Sequence, residues 1–204
     1  MAIMNTSRLE AFSDGVFAIA ITLLVIELPK LDVHGNIAQQ LLDSWPSFFA
    51  YAISFLLIGL VWANHHSMFI HVKRVDRQLL FLNTLLLASV AILPYPTALL
   101  ADGLSESSNL PTVTFLYGIV LSVGGIFFNL VWQYITRRSG IIDPKLPQSF
   151  IRRSRRTFTA GPIVYLAAAL VSLAYPVVGL VSYAALIIFF WLPPKNEHKV
   201  LREK

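Results

Sequence analysis

The sequence predicts an all-α integral membrane protein of six transmembrane helices with both termini in the cytoplasm. Three observations lead there: the composition, the spacing of the apolar runs, and the side on which the basic residues fall. Of 204 residues, 56% are hydrophobic and only 13% are charged. An ordinary soluble domain carries about 25% charged residues, so this chain has too few to solvate a globular surface of its size. A water-soluble enzyme is excluded on that ground. The chain contains no cysteine, which also excludes disulfides, thiolate metal sites and cysteine nucleophiles.

The predicted spans cover residues 8–28, 45–70, 78–101, 112–136, 157–175 and 177–193 of a single domain, 1–204. Each is close to the roughly 20 apolar residues that cross a bilayer. In the first, Ser7-Arg8-Leu9-Glu10 fits a capping box that starts the helix. Its apolar stretch is too long for a signal peptide, carries Ser13 and Asp14, and lacks a small-residue cleavage site, so it is expected to remain as a helix. The second span ends in Trp62-Ala63-Asn64-His65-His66-Ser67, and the third carries Pro94-Tyr95-Pro96-Thr97, where proline must end or kink a helix. Gly118, Gly124, Gly125 and Asn129 in the fourth, and Ala167 to Ala169 in the fifth, suit close helix packing. The apolar stretch 158–192 is longer than one span of about 17–25 residues, so Tyr175-Pro176 reads as the turn of a hairpin.

The charges sort by side. Arg8, Lys73, Arg74, Arg77, the seven basic residues from Arg137 to Arg156, and Lys195, Lys199, Arg202 and Lys204 share one side, leaving Lys30 alone on the other. That side is cytoplasmic by the positive-inside rule, and the net charge of +5 needs no nucleic-acid partner to explain it. The expected location is the plasma membrane, with the lipid bilayer as partner.

Polar groups within the spans are then the informative ones, because a charge at mid-bilayer costs at least about 2.5–3.5 kcal/mol. On the first helix Ile19, Leu23 and Ile26 fall on one stripe with Thr22 at its edge, while Ser13 and Asp14 point elsewhere. Periodicity alone suits lipid contact or bundle packing for that stripe. Asp14 calls for a named partner, and Trp62, Asn64 and one of His65 and His66 are expected to donate hydrogen bonds to Ser13 and Asp14. The two histidines point about 100° apart and no HExxH pattern supports them, so no metal site is expected. There is no P-loop, no recurring catalytic triad and no TVGYG filter.

Arg8-Leu9-Glu10-Ala11-Phe12-Ser13-Asp14-Gly15, running on through Val16 to Leu23, closely resembles the signature first helix of the transmembrane protein 175 family of potassium channels. Trp62 to His66 and Leu93 to Thr97 resemble that family's second and third helices. A single six-span unit looks like the prokaryotic form. The resemblance implies a homotetramer whose first helices line the pore, with Ile19 as constriction and gate, Leu23 and Ile26 as further apolar layers, and Thr22 associated with selectivity. It implies that Arg8, Phe12, Ser13 and Asp14 form the motif that braces the pore helix. Ala18 stands where animal members carry a serine, which weakens any selectivity that hydroxyl adds. The implied function is a modestly selective potassium channel, not an enzyme, with potassium ions as permeant species and no cofactor. The competing expectations are a proton-coupled secondary transporter relaying through Asp14 and His65 or His66, and a proton-conducting channel.

Overall fold

The computed structural model describes residues 5–191, and among these the chain is helical apart from loops and one isolated antiparallel bridge, Val72 to Ile142. Helix α1 (Thr6–Leu24) is capped by Asn5, whose side-chain oxygen accepts from the Ser7 N–H at 3.3 Å. The capping box expected on Ser7 and Glu10 is therefore not used. Asparagine is as good an N-cap as serine, and taking it starts the helix before Ser7 can act. Beyond Leu24 the chain tightens into a 3-10 turn, Val25–Glu27, so the first span is not α-helical to residue 28.

A short helix that the sequence reading did not anticipate, α2 (Ile37–Asp43), is capped by Asn36 and precedes α3 (Trp45–Phe69). The third predicted span is two helices, α4 (Arg77–Ala91) and α5 (Pro94–Ser105), broken at Ile92-Leu93. Pro94 opens α5, where its missing N–H is no loss. Then follow α6 (Leu110–Arg137), α7 (Gln148–Ser172) and α8 (Pro176–Trp191), with only Leu173 to Tyr175 between the last two.

Among the described residues, four helical segments are long and apolar enough to cross a membrane: Thr6–Glu27, Trp45–Phe69, Arg77–Ser105 and Ser107–Arg137. Pro176–Trp191 is a shorter apolar helix. Helix α7 starts nearly three turns before its apolar run, because Arg152, Arg153, Arg155 and Arg156 are good helix formers and simply extend it. Lys195, Lys199, Arg202 and Lys204, and the end of the sixth predicted span, lie outside the described residues.

Helix α6 packs most extensively on α7 and also meets α4, α5 and α8, while α1 lies against α3, α4 and α5. The glycines of α6 make this possible. A Cβ on Gly125 would stand 3.3 Å from Pro162, and one on Gly118 would stand 2.7 Å from the Ala169 methyl and overlap the Tyr183 hydroxyl. Asn129 accepts from Thr159 Oγ1 at 3.2 Å across the same seam.

Two apolar clusters result. One runs through the body from Phe17 and Leu57 to Tyr117 and Tyr183. The other gathers Leu9, Phe69, Val75, Trp132 and Ile141 at one end, so the start of α1 and the loops 70–76 and 138–147 lie together. The loops are tied by the Lys73 N–H to Ile141 carbonyl bond (2.7 Å), the Asp143 N–H to His71 carbonyl bond (2.9 Å) and a Lys73–Asp143 ion pair (3.1 Å). Arg8, Lys73, Arg74, Arg77, Arg137, Arg138 and Lys145 thus share one end of the molecule, as their common side in the sequence predicts. The outer surfaces of α7 and α8 expose Ile163, Leu170, Val177, Val181 and Phe189. An apolar surface of that extent needs a bilayer to cover it.

Candidate functional site

Helix α1 has two faces of opposite character. Leu9, Ser13, Phe17, Ala20 and Leu24, at steps of three and four residues, are buried against α3, α4 and α5. On the opposite face Ile19 is 61% exposed, Leu23 40% and Ile26 71%, with Thr22 also exposed. Ile26 sits in the 3-10 turn, where each residue advances by about 120° instead of 100° and side chains three apart eclipse, so it stays close to the line of Leu23. The Thr22 hydroxyl donates to the Ile19 carbonyl at 2.9 Å, which commits its proton to the backbone and leaves the oxygen lone pairs as acceptors. An oxygen so oriented can face a cation but not donate to an anion.

The buried face is held by a polar chain across three helices. Ser13 donates to the Leu9 carbonyl at 2.8 Å and accepts from Asn83 Nδ2 at 3.0 Å, and Asn83 Oδ1 lies 2.8 Å from His65 Nε2. All three side chains are buried. With Nδ2 fixed as donor, Asn83 Oδ1 can only accept, so His65 carries its proton on Nε2. The His65 ring stacks on Phe69 at 4.3 Å and tilts against Phe17 at 5.4 Å, which aligns it toward α4. A second strut lies nearer the surface, where the Trp62 indole N–H donates to Asp14 Oδ1 at 2.9 Å.

Of the expected partners, Trp62 reaches Asp14, and His65 reaches Ser13 only through Asn83, a residue the sequence reading missed. Asn64 does not join, because its amide donates to its own helix at the Leu60 carbonyl. His66 is exposed and stacks over Trp62 at 6.1 Å. Phe12 is exposed, and Arg8 is exposed without a polar partner among the described residues. The signal that would have found Asn83 is its position in the apolar run 79–90, where an amide needs a partner. A proton relay from Asp14 to His65 is not assembled: the acid is bonded to an indole, which has no acceptor to pass a proton on, and the histidine to an amide.

Outside the spans, Asp76 caps α4 by accepting from the Leu79 N–H and also accepts from the Tyr134 hydroxyl, with Arg138 at 3.8 Å. Burial alone would raise its carboxyl, but the bonds from Tyr134 and Leu79 and the Arg138 charge outweigh that and hold it below the usual carboxylate value.

The family model for the endosomal/lysosomal potassium channel TMEM175 matches residues 8–94, which include both struts. A potassium channel of Streptomyces collinus is 44% identical over 165 residues, covering 79% of this chain and 80% of that protein. The crystal structure of a lysosomal potassium-selective channel TMEM175 homolog from Chamaesiphon minutus superposes with a TM-score of 0.81 at 34% identity, covering 91% of this chain and 95% of that one. The Bos taurus endosomal/lysosomal proton channel TMEM175 is 41% identical over 101 residues, 45% of this chain but 21% of that protein.

Proposed function

The chain belongs to the TMEM175 family of cation channels, and on that premise we propose that it is a potassium-selective channel whose α1 helices line a central pore in a homotetramer. It is a multi-pass membrane protein and not an enzyme. The observation that carries the pore reading is the division of α1 into a face anchored to its own subunit and an apolar, exposed face bearing Ile19, Thr22 and Leu23. In this reading all six apolar segments cross the membrane, both termini lie in the cytoplasm, and the membrane is the plasma membrane.

Four Ile19 side chains around an axis form an apolar ring that gates by expelling water, since an ion cannot shed hydration there without compensation. Leu23 and Ile26 add apolar layers toward the outside. Potassium releases water more readily than sodium, and Thr22 oxygens offer partial replacement, so selectivity is modest. The struts Ser13–Asn83–His65 and Asp14–Trp62 set the angle of α1 and thereby the width of the ring.

The test is ion flux through purified protein in liposomes. Potassium flux exceeding sodium flux, with no second substrate required, is the expected result. Ile19→Asn, which wets the ring, is expected to raise conductance severalfold, and Thr22→Ala to reduce the preference for potassium. Unaltered currents in both variants would move the pore away from α1. The Bos taurus relative, an endosomal/lysosomal proton channel, supports one second reading, proton conduction through the same path, and a pH-sensitive dye inside the same liposomes separates the two.

A further inference from the structure

A cleft of about 120 Å³ lies between α3, α4, α6 and α7, lined by Leu57, Val90, Leu121, Gly161 and Tyr165 among other chiefly apolar residues. Thr157 is its exposed lining residue and marks a mouth at the surface of α7. From there the lining follows α7 at four-residue steps, Thr157, Gly161 and Tyr165, and one step back along the same stripe stands Arg153. The Thr157 hydroxyl donates to the Arg153 carbonyl at 3.2 Å, which fixes that register. Arg153 and its i+3 neighbour Arg156 are exposed, and neither side chain has a polar partner among the described residues. Arg155, by contrast, turns inward and donates to Thr136 at 2.7 Å.

We propose that this cleft with its arginine pair is a site for an anionic phospholipid, the headgroup phosphate on Arg153 and Arg156 and one acyl chain entering past Thr157. The occupant follows from charge and shape. The cleft is comparable to cavities of about 150 Å³ that stay dry and accept small apolar groups. A segment of hydrocarbon chain fits it, and hydrocarbon arrives from the surrounding bilayer. Inside a membrane an acyl chain gains packing but no hydrophobic transfer, so the cleft selects by shape and only the arginines can tell one headgroup from another. Guanidinium groups pair with phosphate bidentately, and basic residues bordering a membrane segment attract anionic headgroups. The site uses no residue of α1 and is independent of the conduction reading.

The full chain, purified and titrated with phosphatidylglycerol or phosphatidylcholine, is read by native mass spectrometry at physiological salt. Preferential retention of phosphatidylglycerol is expected, falling about fivefold for each arginine removed in Arg153→Gln and Arg156→Gln. Gly161→Leu, which fills the cleft from a position where a Cβ meets only Phe190 at 3.7 Å, should lower retention without changing the charge. Arg137→Gln, off the stripe, should leave retention within twofold. Size-exclusion profiles and liposome flux report whether each variant is folded, apart from lipid binding. Equal retention of the two lipids, or no loss in the arginine double variant, overturns the proposal. Displacement of the lipid by millimolar glycerol phosphate, or full retention in folded Gly161→Leu, overturns the acyl-chain half by showing a headgroup site alone.

Discussion

Replacing Asn83 with alanine tests the anchoring of α1 directly. The substitution removes an amide that makes two buried bonds, 3.0 Å to Ser13 Oγ and 2.8 Å to His65 Nε2. The two partners are left in different states. Ser13 still donates to the Leu9 carbonyl, so its side of the loss is one bond, about 1 kcal/mol. His65 Nε2 has no other partner among the described residues, and a buried donor without an acceptor costs about 1–3 kcal/mol. The sum is about 2–4 kcal/mol. Interhelical hydrogen bonds in membranes average nearer 0.6 kcal/mol, which puts a floor of about 1 kcal/mol under the pair. Ser13→Ala should therefore destabilise less than Asn83→Ala. Asn83→Leu combined with His65→Phe should destabilise by less than the sum of the single changes, because no polar group is orphaned. Reversible unfolding in mixed micelles, followed by circular dichroism, measures all five variants, the two single changes Asn83→Leu and His65→Phe included. Asn83→Ala within about 0.5 kcal/mol of the parent, or strict additivity in the double variant, would refute the reasoning and leave α1 held by apolar packing and the Trp62–Asp14 bond.

Gly118→Ala should destabilise by about 1–3 kcal/mol in the same assay, because its Cβ overlaps the Tyr183 hydroxyl and crowds Ala169 in a closely packed seam. Asp76 has a folded-state pKa below its unfolded one, so its contribution is present at neutral pH and is lost as pH falls from about 5 through that lowered value. Asp76→Asn should flatten the acid limb of the stability profile, and a slope unchanged between pH 5 and 2 would remove Asp76 from it.

How much of this could be read in advance depends on the range of the interaction. The apolar segments were legible because a bilayer imposes length, and among the described residues four helical segments are long and apolar enough to cross one. The break within the third was legible because Pro94 dictates it locally, although the exact hinge, Ile92-Leu93, was not. The cap on Asn5 and the small helix α2 were missed, since each depends on which of several competing polar side chains takes the backbone N–H groups. Trp62 as partner of Asp14 followed from the need to satisfy an intramembrane carboxylate, and the geometry agrees. Asn64 and Asn83 show the limit. Both are amides at comparable depth, yet one folds back on Leu60 and the other bridges two helices, a choice made by the rotation of α3 and α4 and not by either residue.

The bond between Ser13 and Leu9 also bears on biosynthesis. Ser13 and Asn83 are 70 residues apart, so at about 5–20 residues per second α1 waits on the order of ten seconds for its partner to be made. Throughout that interval its hydroxyl is satisfied by its own backbone, and the helix can rest in lipid as an independent unit. When α4 arrives, Asn83 donates to a Ser13 lone pair still vacant, and nothing formed earlier has to be undone. The helix that carries the exposed stripe is thus built to be inserted first and docked later.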